Sequence, residues 1–323
     1  MNHFVFVKCQ FLLLKELLSK TIIFCQNVSR FRLLNIYQIL CIIKSLTREY
    51  FFRYNHNMEN KQKEKKVVIV TGASSGIGLA LAKMLLKNNY IVFGLDRNEH
   101  IDEFETLICD LTNYDRVKEC FEQIYQKEGH IDILVNNAGM GISGAVEFIE
   151  MDRRKKLFEV NMFAAVNCSK MIIPYFKKNG GGKILNTSSL AGVIPLPFQT
   201  DYSMSKAAIN SFTMCLRNEL KPLNIKVCAV MPGDTKTGFT ANREKQNKSD
   251  GYSDRVKKSV SKMEKDETHG ASPEKVAKVM LKQIKRKNPP AIVSVGFCAK
   301  LVAFLEKILP RKLMLWIVGK IYG

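Results

Sequence analysis

The sequence predicts an α/β protein. Its expected core is a doubly wound parallel sheet of about seven strands in a single domain, with a helical tail after it. Three observations predict this. Short β-branched runs alternate with amphipathic stretches from Lys66 onward. The runs are apolar almost throughout, as in strands covered on both faces. A glycine-rich stretch, TGASSGIG, joins the first run to the first helix.

The elements follow in order. Apolar runs at residues 67–70, 90–95, 106–109, 131–135, 183–185, 226–230 and 291–295 read as strands. Helical periodicity lies between them, at 78–87, 114–127, 153–178, 203–220 and 273–287. The last helix has a marked start, with Ser272 at the N-cap, Pro273 at the first helical position and Glu274 after it. Residues 238–270 are the least regular stretch. They are polar and lysine-rich, and a long insertion after a strand's carboxyl end is expected to cover the ligand crevice.

The glycine loop carries the first functional signal. Gly72 and Gly76 let the backbone turn and approach a pyrophosphate, and Gly78 allows close packing of helix on strand. The helix that follows offers free N–H groups and a favourable dipole to phosphate. The spacing is G-x-x-x-G-x-G. With it come CDLT at 109–112, NNAG at 136–139, VNMF with Asn161, ILNTSSLAG with Ser189, YSMSK with Tyr202 and Lys206, and PGDTKT at 232–237. In this order and on these elements, the chain resembles the short-chain dehydrogenase/reductase family from about Lys66 to Val295.

The resemblance implies a Rossmann-type fold and NAD(P)-dependent interconversion of a secondary alcohol and a ketone. It implies dinucleotide contacts from Gly72, Ser74, Ser75, Gly76, Ile77 and Gly78, then from Asp96, Arg97, Asp110 and Leu111. Asn137, Ala138, Gly139, Pro232, Gly233, Thr235 and Thr237 complete that set with Tyr202 and Lys206. It implies a catalytic tetrad of Asn161, Ser189, Tyr202 and Lys206. Tyr202 is the acid/base, Ser189 orients the substrate oxygen, and Asn161 holds a proton-relay water.

The residues support this chemistry. Hydride transfer at an alcohol carbon needs a partner for the hydroxyl proton. A tyrosine, with a pKa of about 10, is a poor base near neutrality unless a cation lowers it. Tyr202 and Lys206 stand at i and i+4 and share a helix face. Asp96, at the end of the second strand, favours a ribose hydroxyl and repels a 2′-phosphate; Arg97 beside it favours the phosphate. NAD is favoured and NADP is the alternative. No metal site is expected.

Within the family the chain looks like the 17β-hydroxysteroid dehydrogenase-like subgroup, which implies a lipophilic substrate, steroid-like or long-chain. A 3-oxoacyl-carrier reductase is the alternative within the enzyme class, and a non-catalytic dinucleotide sensor the alternative outside it. Met140, Ile142, Ile194, Phe198 and Phe239 are candidate pocket liners. The tail, 297–323, places Leu301, Phe304, Leu305 and Ile308 at helical spacing, then Pro310, then a second short helix with the only tryptophan, Trp316. These helices could cover the substrate mouth, pack in an oligomer or lie on a membrane surface, and simple packing on their own subunit is the first expectation.

Residues 1–57 stand apart. They contain no Gly, Ala, Pro or Asp, and eight Lys/Arg against two Glu. The polar lead-in after Met58 reads as a natural start. The expected organisation is therefore an extension outside the fold at 1–57, the catalytic domain at 58–296 and the tail at 297–323. The rival reading of 1–57 is an amphipathic anchor. The net charge of +20 comes without zinc-finger or RNA-binding signatures, so no nucleic-acid partner is expected. Nine cysteines without a C-x-x-C pair suggest buried thiols in a reduced compartment. The expectation is a cytoplasmic homodimer or homotetramer with no transmembrane span and, at most, peripheral membrane contact.

Overall fold

The run after Lys66 becomes β1 (Val67–Thr71), the centre of the fold. Its alternate residues feed two cores, because successive side chains on a strand point to opposite faces. Val67 and Ile69 face one side, Val68 and Val70 the other. The computed structural model describes residues 65–98, 103–246, 248, 250–252 and 254–323. The expected extension at 1–57, with its rival reading as an anchor, lies outside the described residues.

The chain continues through α1 (Gly76–Leu86), β2 (Ile91–Asp96), β3 (Glu105–Ile108), α2 (Tyr114–Glu128), β4 (Ile133–Asn136) and a two-residue β5 (Ile142–Ser143). Next come α3 (Met151–Phe158), a π-helical turn (Glu159–Phe163), α4 (Ala164–Lys178), β6 (Gly182–Thr187) and α5 (Thr200–Glu219). The rest is β7 (Ile225–Pro232), a two-residue β8 (Glu244–Lys245), α6 (Arg255–Thr268), α7 (Pro273–Lys285), β9 (Ile292–Val295), α8 (Phe297–Ile308) and α9 (Arg311–Tyr322).

Seven strands form one parallel sheet in the order β3-β2-β1-β4-β6-β7-β9. The order reverses direction between β1 and β4, and the crevice at that switch point is where such sheets bind ligands. On one face α2, α4 and α5 bury Phe121, Ile172 and Leu216 against the sheet. On the other, α1 and α7 bury Leu81, Leu85, Met280 and Ile284. Lys183 on β6 donates to the carbonyls of Gln283 (3.1 Å), Ile284 and Arg286 (2.7 Å), which satisfies orphan acceptors at the end of α7.

Two details differ from the sequence reading. The helix expected over 153–178 is interrupted by the π turn, which carries Asn161. The irregular stretch at 238–270 holds a helix, α6, that buries Val256, Ser259 and Met263. Ser272 occupies the N-cap of α7 without a side-chain cap to the backbone. The cysteines at 109, 120, 168 and 228 are buried as free thiols, whereas Cys215 and Cys298 are exposed.

Candidate active site

The site begins where β1 ends. Thr71 Oγ1 accepts from the backbone N–H of Asn137 (2.9 Å) and Ala138 (3.1 Å), and Asn137 Nδ2 donates back to the carbonyls of Thr71 (3.1 Å) and Gly72 (3.2 Å). This lacing holds the glycine loop against the end of β4. Gly72 and Gly76 have φ of +66° and +54°, the left-handed region that side chains disfavour. A Cβ on Gly72 would lie 2.9 Å from Ala138 Cα, and one on Gly78 would collide with the Gly72 carbonyl oxygen. Gly78 is thus a packing glycine rather than a wall of the crevice.

The N-terminus of α1 opens into the same crevice. Its N-cap, Ser75, makes no side-chain cap, and no acidic residue stands in its first turn. Uncapped N–H groups with the positive end of the helix dipole make a phosphate cradle. At the end of β2, Asp96 accepts from the N–H of Ser74 (3.1 Å) and of Asn98 (3.1 Å), with Arg97 exposed beside it. Asp110 is held below its ordinary pKa. Partial burial works the other way, but the Thr112 backbone and hydroxyl hydrogen bonds and the charges of Arg97 and Lys156 prevail.

Across the cleft, α5 presents Tyr202 in its first turn and Lys206 one turn later. Lys206 Nζ lies 5.7 Å from the Tyr202 ring centroid and donates to the Thr187 carbonyl at 3.0 Å. Ser189 caps a short 3₁₀ turn, accepting from Ala191 N–H at 3.2 Å, and shares a hydrogen bond with Tyr202. Burial pushes the Tyr202 phenol up to about 12; Ser189 and Arg243 work to lower it and Glu267 to raise it. Burial also pushes Lys206 down to about 8. The sequence reading had Lys206 lowering Tyr202. The structure corrects this: Lys206 is not among the groups that move Tyr202, and burial governs the phenol.

Asn161 is buried in the π turn, an irregularity frequent at functional sites. Its Oδ1 accepts from Met140 N–H (2.7 Å), and its Nδ2 donates to the Met140 carbonyl (2.9 Å) and to Ser205 Oγ (3.1 Å). It therefore clamps the loop after β4. A Cβ on Gly139 would sit 3.3 Å from Asn161 Oδ1 and 3.5 Å from Lys206 Nζ, so both side chains converge on that glycine.

The cleft is about 1230 Å³. Pockets for one small ligand run to ~300–1,000 Å³, so a dinucleotide and a substrate have room together. Gly72, Ser74, Ser75, Gly76, Ile77, Asp96, Arg97, Asp110, Leu111, Asn137, Ala138 and Gly139 line it, as do Pro232, Gly233, Thr235 and Thr237. Met140, Ile194 and Phe239 line it near Ser189 and Tyr202, and the Phe239 ring is 5.5 Å from the Tyr202 ring.

Two expected liners are elsewhere. Ile142 is buried in a small core with Ile149 and Leu157. Phe198, at φ +61°, turns its ring onto Tyr252, 6.0 Å away. Its left-handed backbone redirects the side chain away from the cleft.

Other residues escaped the sequence reading. Arg243, buried, pairs with Glu267, which also accepts from Thr240 Oγ1 at 2.6 Å, and its guanidinium lies 5.7 Å from the Phe239 ring centroid. This pair fixes the segment after β7 against α6. The tail contributes Val302, Leu305, Leu309, Met314 and Ile317 to the cleft wall. The helical spacing of the tail signalled this; nothing in the sequence marked Arg243.

The family model described as short chain dehydrogenase matches residues 66–248. The chain belongs to the short-chain dehydrogenase family. It is 40% identical over 238 residues to a 3-ketodihydrosphingosine reductase of Bacteroides thetaiotaomicron, covering 72% of this chain and 88% of the relative. A 3-dehydrosphinganine reductase of Danio rerio is 34% identical over 238 residues, 68% of this chain and 69% of that one. Among solved structures, a 3-ketoacyl-(acyl-carrier-protein) reductase of Brucella melitensis complexed with NADH aligns with a TM-score of 0.62 at 26% identity, covering 72% and 97% of the two chains. The protein is an oxidoreductase that interconverts a secondary alcohol and a ketone, with a nicotinamide dinucleotide as cofactor. Its glycine loop and uncapped α1 fit that group. No helix among the described residues is long and apolar enough to cross a membrane.

Proposed function

We propose that this short-chain dehydrogenase reduces a long-chain ketone of the 3-ketodihydrosphingosine kind, with Tyr202 as proton donor. The observation that carries the reading is the apolar part of the cleft lining: Met140, Ile194 and Phe239 from the domain, and Leu305, Leu309 and Met314 from the tail. An apolar wall of this extent suits a lipophilic chain. The relatives named for sphingoid ketone reduction support a long chain over a steroid.

The dinucleotide, when bound, supplies the hydride. The protein supplies the rest. Ser189 and Tyr202 share a hydrogen bond and together offer two hydroxyl donors to the ketone oxygen. A phenol held near 12 stays protonated at neutral pH, which suits a proton donor and hence the reductive direction. Lys206, titrating near 8, is still mostly charged at pH 7 and favours the phenolate left after proton transfer. Asn161 holds the Met140 loop, and its side chain and the Lys206 ammonium converge on Gly139.

For the cofactor we favour NAD(H), with NADP(H) the alternative. Asp96 lines the cleft at the end of β2, and its carboxylate would repel a 2′-phosphate brought close to it in a partly desolvated site. Arg97 is exposed and free of that constraint.

The test is a steady-state screen with NADH and NADPH over 3-ketodihydrosphingosine, a ketosteroid and a 3-oxoacyl-carrier thioester. The reading predicts the highest kcat/KM for the long-chain amino ketone with NADH. A clear preference for the steroid or the carrier thioester overturns it.

A further inference from the structure

Eight of the fifteen exposed large apolar side chains among the described residues fall in α8 and α9. Phe297, Phe304 and Ile308 on α8 are 80%, 57% and 58% exposed; Leu315 and Trp316 on α9 are 62% and 61% exposed. A clustered apolar surface of this kind marks an interaction site.

The helices have two faces. Inward, Val302, Leu305, Leu309, Met314 and Ile317 wall the cleft. Outward, Leu301, Phe304 and Ile308 recur at i, i+3 and i+7, one stripe of a helix, and exposed Phe297 stands at its start on the rim of the cleft. Lys300 and Lys307 stand three residues after Phe297 and Phe304, on the edge of that stripe. Arg311, Lys312 and Lys320 add exposed cations on α9. Against these five cations the two helices carry a single acid, Glu306.

We infer that α8 and α9 dock this enzyme on an anionic lipid surface. An in-plane amphipathic helix binds by burying its apolar face and setting its cations against lipid headgroups. Long basic side chains at the edge of an apolar stripe, and a tryptophan at the boundary, suit that depth. The charge pattern argues against a second copy as the occupant. A two-fold pairing of this face would bring five cations and one acid against the same set. The inner wall of the same helices borders the cleft, so docking would bring the mouth of the cleft to the bilayer. The inference stands on the surface alone and does not depend on the substrate reading.

Trp316 is the only tryptophan in the chain, so it reports this face selectively. The experiment titrates the full chain with phosphatidylglycerol vesicles and, separately, with phosphatidylcholine vesicles, each with and without brominated acyl chains. Light scattering gives the oligomeric state. The expected result is a blue shift and bromine quenching of Trp316 on phosphatidylglycerol, with binding at least tenfold weaker on phosphatidylcholine. Lys307→Ala with Lys312→Ala, both exposed and outside the catalytic machinery, weakens binding by roughly 30-fold, about fivefold per cation. Vesicle binding without Trp316 quenching places the contact on another segment and overturns the inference. So do equal binding to both lipids, no binding, or self-association that already buries Trp316.

Discussion

Replacing Lys206 with methionine should make the ligand-free enzyme more stable at neutral pH, although it removes a residue we assign to catalysis. Lys206 is 4% exposed, and burial moves it from 10.5 to about 8. At pH 7 the folded state therefore carries a charged lysine at a cost of about 3 kcal/mol relative to the unfolded chain. Methionine fills similar space without that charge. It forfeits the hydrogen bond to Thr187, about 1 kcal/mol, and the contact of the ammonium with the Tyr202 ring, up to about 1 kcal/mol. The net gain is about 1–2 kcal/mol at pH 7.

The sign of the pH dependence follows from the lowered pKa. Between about 8 and 10.5 the unfolded state binds more protons at this lysine, so the burial cost fades as pH rises. At a pH near 9.5 roughly 2 kcal/mol of it is gone, and the variant loses its advantage. Urea denaturation of both proteins without cofactor, at pH 7 and near 9.5, measures the difference; groups common to both cancel. A variant less stable than the parent at pH 7, or a difference that does not shrink with pH, would refute the reasoning.

Three further outcomes are expected. Gly78→Ala should abolish dinucleotide binding or folding, because its Cβ meets the Gly72 carbonyl; NADH fluorescence titration and circular dichroism read the two effects. Asp96→Ala should shift preference toward NADP(H) by ~1–3 kcal/mol, read as kcat/KM for both cofactors, since it removes a carboxylate and leaves Arg97 in place. Arg243→Met should destabilise the fold by ~3–5 kcal/mol in urea denaturation, because it leaves Glu267 as an unpaired, largely buried charge.

The strands were legible because parallel-sheet strands buried on both faces are nearly all apolar, and β1, VVIVT, is fully buried. The crevice was legible because the turns that approach phosphate need glycines, and Gly72 and Gly76 have the φ that explains them. The misses are positions where tertiary context decided. The segment around Asn161 keeps helical periodicity, so a single wide turn leaves no mark in the sequence. Helix α6 hides because its inward positions are Val256, Ser259 and Met263, a weak stripe among lysines. Phe198 looked like a pocket residue by its place between Ser189 and Tyr202, and only its left-handed backbone turns it away. That burial rather than Lys206 governs Tyr202 needs coordinates, since i, i+4 spacing gives neighbourhood but not desolvation.

The central claim is that Tyr202 gives the proton to the ketone oxygen. Its most direct test is Tyr202→Phe, which keeps the ring against Phe239 and removes only the hydroxyl. Parent and variant are compared in single-turnover reduction and in NADH affinity. The account predicts a rate lower by at least ~10²–10⁴ with NADH affinity unchanged, the scale of general acid catalysis. Turnover by the variant within a fewfold of the parent would contradict it.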